Sequence, residues 1–232
     1  MTVLTTRRFD SRGALDDALE LRLAQAIAAT GPSAIMLSGG KTPLPAYRAL
    51  AARALPHDAA LHILFSDDRY VPSDSPASNY YQSRALLDAL QLPLQQQLRV
   101  RTELPLEHAA AEYERALRAL LKSAVPISLG LLGLGADGHT ASLFSAADLA
   151  RARGHLAIAV HRPDGMSAVT VTPQLLARVK ALLFVVAGED KRHALQALEA
   201  GDPNLTTWLA VQQCPAVELW FFGSVVIEQQ LL

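Results

Sequence analysis

The densest chemistry in the chain lies at Asp137 and His139, within residues 131–144, LLGLGADGHTASLF. An apolar run over 127–134 ends in this glycine-rich turn, and Thr140 and Ser142, either of which can cap a helix, follow it. Imidazole titrates near neutrality, so a histidine carried by a buried strand into a polar loop can take a proton from water at working pH. The competing reading is a plain βα turn, with glycines that reverse the chain and a histidine that is incidental.

Three further segments carry candidate chemistry. Residues 37–43, LSGGKTP, join an apolar run to a helical one. Gly39 and Gly40 let backbone N–H groups approach a ligand, Lys41 adds a cation, and the next helix offers its positive end. Neither the P-loop spacing GxxxxGK[ST] nor the dinucleotide spacing GxGxxG is present there, and alone the segment is equally an ordinary turn. Residues 65–72, FSDDRYVP, place Asp67, Asp68 and Arg69 at a strand end. Arg69 can clamp a phosphate bidentately, and the acids can orient sugar hydroxyls or His139; a solvated salt-bridge cluster is the alternative. Ser78-Asn79 can cap the following helix while facing the same loop. Lys191, in GEDK at a helix start, can help to hold an anion, although alone it reads as a surface lysine. His57, His62, His108, His155, His161 and His193 lack comparable settings.

Positioning these residues requires alternating strands and helices. Leu15, Leu19, Leu23 and Ile27 recur at four-residue steps and predict a helix over 14–29, stopped by Gly31-Pro32. Strands are predicted at 34–37, 61–65, 100–102, 127–134, 155–161, 168–172, 180–187 and 217–222, with a turn at Pro163-Asp164-Gly165. Helices are predicted at 43–55, 79–90, 107–122 and 190–200. The alternation predicts an α/β fold, a mainly parallel open sheet with helices on both faces, and continuous apolar runs fit strands covered on both sides. With no repeat or low-complexity linker, residues 1–232 read as a single domain. Ligands of such sheets bind beyond the carboxyl ends of the strands. All four polar segments follow predicted strands, so they share one edge, which favours a functional His139.

Composition excludes other classes. The chain has 21 basic and 22 acidic residues, a net charge of −1, and no electrostatic case for nucleic acid or an anionic membrane. Cys214 is the only cysteine, so no internal disulfide and no Cys/His zinc cluster is expected, in keeping with a reducing compartment. The first residues lack the apolar core of a secretory signal, and no run approaches the roughly 20 apolar residues of a spanning helix. The expectation is a cytoplasmic protein without a membrane partner.

Over nearly its whole length the chain resembles the 6-phosphogluconolactonase family. Residues 37–43 resemble its SGGxTP segment, and 67–72 with Ser78-Asn79 resemble DERxVP…SN. Residues 132–144 resemble LGxGxDGHTASLF, the most specific of the set; 169–172 and 188–191 resemble its RVTLT and GxxK segments. The resemblance implies a NagB/RpiA/CoA-transferase-like fold and no metal or organic cofactor. It implies hydrolysis of 6-phospho-D-glucono-1,5-lactone to 6-phosphogluconate, with His139 as the base. In this reading Asp137 or its rival Asp67 orients the imidazole, and backbone N–H groups near Gly39 and Gly40 receive the oxyanion. Arg69 and Lys191 hold the phosphate, and Asp68 joins the substrate side. Three residues depart from the pattern: Lys41 stands for Ser, Asp68 for Glu and Ala168 for Arg, with Lys41 expected to replace the cation missing at 168. The rivals are an amino-sugar-phosphate isomerase or deaminase of the same fold and a non-catalytic sugar-phosphate sensor. The expected partner is a small sugar-phosphate lactone, and the sequence does not separate a monomer from a small homo-oligomer.

Overall fold

The computed structural model describes residues 2–222. The chain runs β1 (Val3–Phe9), α1 (Arg12–Ile27), β2 (Ser33–Leu37), α2 (Leu44–Ala51), β3 (Leu61–Phe65), β4 (Asp67–Arg69) and α3 (Asn79–Leu90). It continues through β5 (Gln97–Leu98), α4 (Leu106–Lys122), β6 (Ile127–Leu132), α5 (Ala146–Arg151), β7 (Ala157–His161) and β8 (Ser167–Val171). The last elements are α6 (Pro173–Leu176), β9 (Leu182–Ala187), α7 (Arg192–Glu199), α8 (Thr206–Val211) and β10 (Ala216–Phe222). Seven strands form a parallel sheet in the order β1-β10-β9-β6-β2-β3-β5. A three-stranded antiparallel sheet, β4-β8-β7, lies beside it.

Alternate residues of the central strands enter two cores. Met36, Leu64, Phe184 and Leu219 face α4, α7 and α8 together with the small sheet. Ile35, Ile63, Leu129 and Val185 face α1, α2 and α3. Burial on both faces is why these strands read as continuous apolar runs rather than alternating ones. In α1 the four-residue spacing puts Leu15, Leu19, Leu23 and Ile27 on the buried side, and the Ser11 hydroxyl accepts from the Ala14 N–H at the helix start.

The differences from the sequence reading have local causes. β1 was not anticipated, because only Phe9 of this edge strand is buried and no apolar period marks it. Residues 67–69, expected at the end of the preceding strand, form a strand of their own: the chain leaves the large sheet after β3 and pairs with β8. The short strand expected at 100–102 sits at Gln97–Leu98, although Val100 is buried just beyond it. α2 ends at Ala51, short of the expected residue 55. The helix expected from 190 opens with a 3₁₀ turn, Glu189–Lys191, before α7. α6 and α8, of 4 and 6 residues, are too short to show a helical period. Among the described residues no helix is long and apolar enough to cross a membrane.

Two buried tyrosines hold the strand ends that carry the polar segments. Tyr47, from α2, donates its hydroxyl to the Ser38 carbonyl at 2.8 Å and accepts from the Ser38 N–H at 3.3 Å. Tyr113, from α4, donates to the Phe65 carbonyl at 2.5 Å and accepts from the Phe65 N–H at 3.0 Å. Burial pushes both phenols upward, so they stay protonated and able to donate. Tyr113→Phe leaves a buried N–H and C=O at the end of β3 without these partners. The variant is expected to be less stable by about 1–3 kcal/mol, read as a lower urea midpoint at unchanged slope.

Candidate active site

The chain leaves β2 toward β3 on one side of the sheet, while β6 pairs on the other, so strand order reverses between β2 and β6. That reversal opens a crevice at the carboxyl ends, where open α/β sheets bind ligands. Two adjoining cavities of about 160 and 170 Å³ lie there and share Ser38, Gly39, Gly133, Leu134 and Lys191. The first is walled by Gly40, Thr42 and Pro43. The second holds Asp67, Arg69, Asn79, His139 and Arg162. A larger cavity of about 740 Å³ beside α5, α6 and α8 is lined by no histidine or carboxylate, whereas the smaller pair holds His139 and Asp67.

The His139 loop is folded back on itself. The Gly135 N–H donates to the His139 carbonyl at 2.8 Å and the Thr140 hydroxyl to the Gly133 carbonyl at 2.9 Å. The Thr207 hydroxyl at the start of α8 donates to the Gly138 carbonyl at 2.7 Å. Asp137 Oδ1 lies 2.5 Å from His139 Nδ1 and also accepts the His139 N–H at 3.2 Å. The ring therefore has its Nδ1 side occupied, while Nε2 has no protein hydrogen bond among the described residues. The imidazole side chain is 25 % exposed and stacks on Phe144, with centroids 4.3 Å apart. Partial burial raises the Asp137 carboxyl, but the hydrogen bonds and charge of His139 outweigh this and leave it below its ordinary value. Gly135 is what allows the pair to form, because a Cβ there would collide with His139 Nδ1 and Asp137 Oδ1.

Asp67 does not touch the imidazole. It is 4 % exposed, and Oδ2 accepts the Ser142 hydroxyl at 2.7 Å. Its Oδ1 accepts the Ser66 hydroxyl at 2.9 Å and Asn79 Nδ2 at 3.1 Å. The acid hydrogen-bonded to the ring is thus Asp137, while Asp67 binds the surrounding elements together. Thr140 and Ser142 cap no helix; Ser145 caps α5, with Asp148 completing a capping box.

Asp68 corrects a second expectation. It is 1 % exposed and faces the start of α3 instead of the cavity. There it accepts the Asn79 N–H at 2.6 Å, the Ser78 hydroxyl at 3.0 Å and the Tyr80 N–H at 3.3 Å. Burial pushes its carboxyl up to about 6, the bonds to Asn79, Ser78 and Tyr80 pulling the other way. Ser78 caps α3 as expected, its hydroxyl accepting the Tyr81 N–H at 3.2 Å.

Arg69 reaches the cavity. Its Nη1 donates to Asn79 Oδ1 at 2.6 Å and to the Ala77 carbonyl at 3.1 Å, and its buried Nε has no protein partner among the described residues. Gly39 lies against Asn79, where any Cβ would strike the side-chain amide. The Gly40 N–H donates to Gln82 Oε1 at 2.9 Å and is not free for a ligand, whereas the Gly39 N–H has no protein partner among the described residues. Lys191 lines both cavities, with Nζ 3.2 Å from the exposed Asp190. Lys41 is exposed and lines neither cavity, so it does not bring the extra cation expected of it. Ala168 is fully buried opposite Arg69 in the β4–β8 ladder. The cation that does arrive is Arg162, just after β7, which the sequence reading passed over. Its only legible signal is a cation directly following a predicted strand, the same rule that selected Lys191. Among the described residues no group of three or more His, Cys, Asp or Glu side chains is placed to hold a metal ion.

The fold and crevice define an open parallel α/β protein with a histidine–carboxylate pair and several cations at its strand-order reversal. The model of the glucosamine-6-phosphate isomerase/6-phosphogluconolactonase family matches residues 10–217, and the chain belongs to that family. It is 40 % identical over 195 residues to a 6-phosphogluconolactonase of Synechocystis, covering 79 % of this chain and 78 % of the relative. It is 34 % identical over 194 residues to that of Thermotoga maritima, covering 82 % and 84 %. The crystal structure of a Thermotoga maritima 6-phosphogluconolactonase superposes with a TM-score of 0.80 at 27 % identity, covering 95 % of this chain and all of that one. A monomeric glucosamine-6-phosphate deaminase shares the fold, with a TM-score of 0.80 at 16 % identity.

Two variants test the local geometry. Gly135→Ala is expected to separate Asp137 from His139 while the protein stays folded. ¹⁵N NMR of the ring should then show a single Nδ1–H tautomer in the parent and mixed tautomers in the variant. Asp68 carries the linkage test, since its folded-state pKa is raised from 3.8 to about 6. The folded state therefore holds a proton between these values that the unfolded chain has released. This group's contribution is complete below about pH 4 and is lost as pH rises through 6, in all about 3 kcal/mol for a shift of about two units. Urea unfolding from pH 4 to 7 should show that fall in the parent and its disappearance in Asp68→Asn, whatever the variant's absolute stability.

Proposed function

We propose that His139 is the general base of a lactone hydrolase, and that the substrate is 6-phospho-D-glucono-1,5-lactone, opened to 6-phosphogluconate. The observation that carries this reading is the imidazole held by Asp137 at 2.5 Å through Nδ1, with Nε2 left for a cavity that also contains Arg69 and Lys191. The names of the relatives at 34–40 % identity support the substrate.

In this mechanism water donates a proton to His139 Nε2 as its oxygen attacks the lactone carbonyl. The tetrahedral oxyanion is met by the Gly39 N–H; such preorganised donors are commonly the largest single catalytic term. The bond from the former carbonyl carbon to the ring oxygen then breaks, and the imidazolium returns its proton to that oxygen. The product carries a free hydroxyl and a carboxylic acid, which ionises. Asp137 keeps Nδ1 protonated and stabilises the transient imidazolium. Arg69, with its unpaired Nε, and Lys191 bind the phosphate where the two cavities meet. Asp67 acts indirectly, by holding Ser142 and Asn79. The proposed setting is the cytoplasm, supported by a single buried cysteine, Cys214.

A lactone of this kind already hydrolyses slowly in water, so a positioned base and an oriented substrate account for much of the acceleration required. His139→Ala is expected to lower kcat by about 10²–10⁴-fold with the fold intact, measured on fresh phosphogluconolactone after subtraction of the spontaneous rate. Full turnover by this variant removes the role given to His139. Release of fructose 6-phosphate from glucosamine 6-phosphate by the parent decides for the isomerase or deaminase branch of the family. Saturable sugar-phosphate binding without turnover decides for a sensor.

A further inference from the structure

Arg162 is the charged group of the crevice to which the mechanism above gives no work. Its side chain is only 11 % exposed, yet it lines the same cavity as His139 and Arg69. Three contacts fix its plane. Nη1 donates to the Ser142 hydroxyl at 2.9 Å, and that hydroxyl in turn donates to Asp67. Nε and Nη2 pair with Asp164 at 3.1 and 3.0 Å. The guanidinium carbon sits 5.1 Å from the centre of the Phe144 ring, the ring on which the imidazole also stacks.

This environment is unbalanced. A guanidinium so far removed from water normally meets a buried carboxylate. The carboxylate that Arg162 meets directly, Asp164, is itself 42 % exposed, on the turn between β7 and β8. Asp67 is reached only through the hydroxyl of Ser142. A bound anion on the cavity side would complete the coordination of Arg162, with Asp164 as its partner in the free protein.

The shared Phe144 ring says which end of a substrate this is. Guanidinium and imidazole are both anchored on it, so Arg162 belongs to the side of the crevice where the bond is broken. The adjoining cavity, which Lys191 and Gly39 border as well, holds neither the imidazole nor the guanidinium. We infer that Arg162 binds the carbonyl end of the substrate and, after hydrolysis, the new carboxylate. It is a specificity-determining residue that distinguishes an acid or lactone at this end from an uncharged alcohol. The inference rests on the lactonase reading and deepens it.

The test measures binding of two compounds with the same phosphate end by calorimetry. One is 6-phosphogluconate, which carries the carboxylate; the other is sorbitol 6-phosphate, which ends in an alcohol. Arg162→Gln is expected to weaken 6-phosphogluconate about tenfold or more, the scale of a charge-assisted hydrogen bond, and to leave sorbitol 6-phosphate within about twofold. Asp164→Asn keeps the polar turn residue but releases the guanidinium from its charge, and is expected to tighten 6-phosphogluconate severalfold without changing sorbitol 6-phosphate. A purely structural Arg162 predicts no such gain, so this second variant decides the matter even if Arg162→Gln folds poorly. Equal weakening of both compounds places Arg162 at the phosphate and overturns the inference, as does unchanged 6-phosphogluconate binding in both variants. Absence of lactone turnover by the parent sinks the lactonase reading itself; parent turnover with no effect at Arg162 and Asp164 sinks only the inference.

Discussion

The buried carboxylate of Asp67 is the interaction on which the site depends. A carboxylate taken out of water requires compensating donors, and here they come from three parts of the chain. Ser66 precedes it, Asn79 opens α3, and Ser142 follows the His139 loop. None of the three is a cation, so the group is satisfied by hydroxyl and amide dipoles of fixed position. Meeting that requirement brings the carboxyl ends of β3 and β6 to the same point and gives Arg162 a docked hydroxyl to hold. The acid is thus best understood as what makes a cavity possible at this edge, with the Asp137–His139 pair beside it.

Around this centre, each strand end is finished by a partner from elsewhere in the fold. Backbone groups beyond the last ladder bond have to be paired when buried. Tyr47 pairs those of Ser38 and Tyr113 those of Phe65, each from a helix on a different face of the sheet. Gln82, from α3, takes the Gly40 N–H. These pairings leave few free donors at the crevice, among them the Gly39 N–H and the Arg69 Nε. The character of the crevice thus follows from what is left unpaired as much as from what is present.

Polar residues at strand ends were legible because each follows an apolar run, and open α/β sheets place their ligand sites there. His139, Arg69, Gly39 and Lys191 could all be named in this way, and all line the crevice. The rule cannot tell which way a side chain turns. Asp67 and Asp68 are neighbours on a short strand and point to opposite faces, one toward Ser142 and the other toward the start of α3. Lys41 sits in a glycine segment that otherwise borders the cavity, yet it faces solvent. β1 escaped notice because an edge strand with one buried residue carries no period.

What the sequence determined by itself is the architecture and the edge at which the polar residues gather, since both follow from local apolar periodicity and the position of glycine and polar residues after each run. The Asp137–His139 contact was also within its reach, because the two residues are 2 positions apart and Gly135 leaves room for them. The contacts of Asp67, Asp68, Ser142 and Arg162 were decided only by tertiary structure. Ser142 and Asp67 are 75 positions apart, and Arg162 and Ser142 are 20 apart. Such pairs meet only when the two sheets pack, and local sequence holds no record of that meeting.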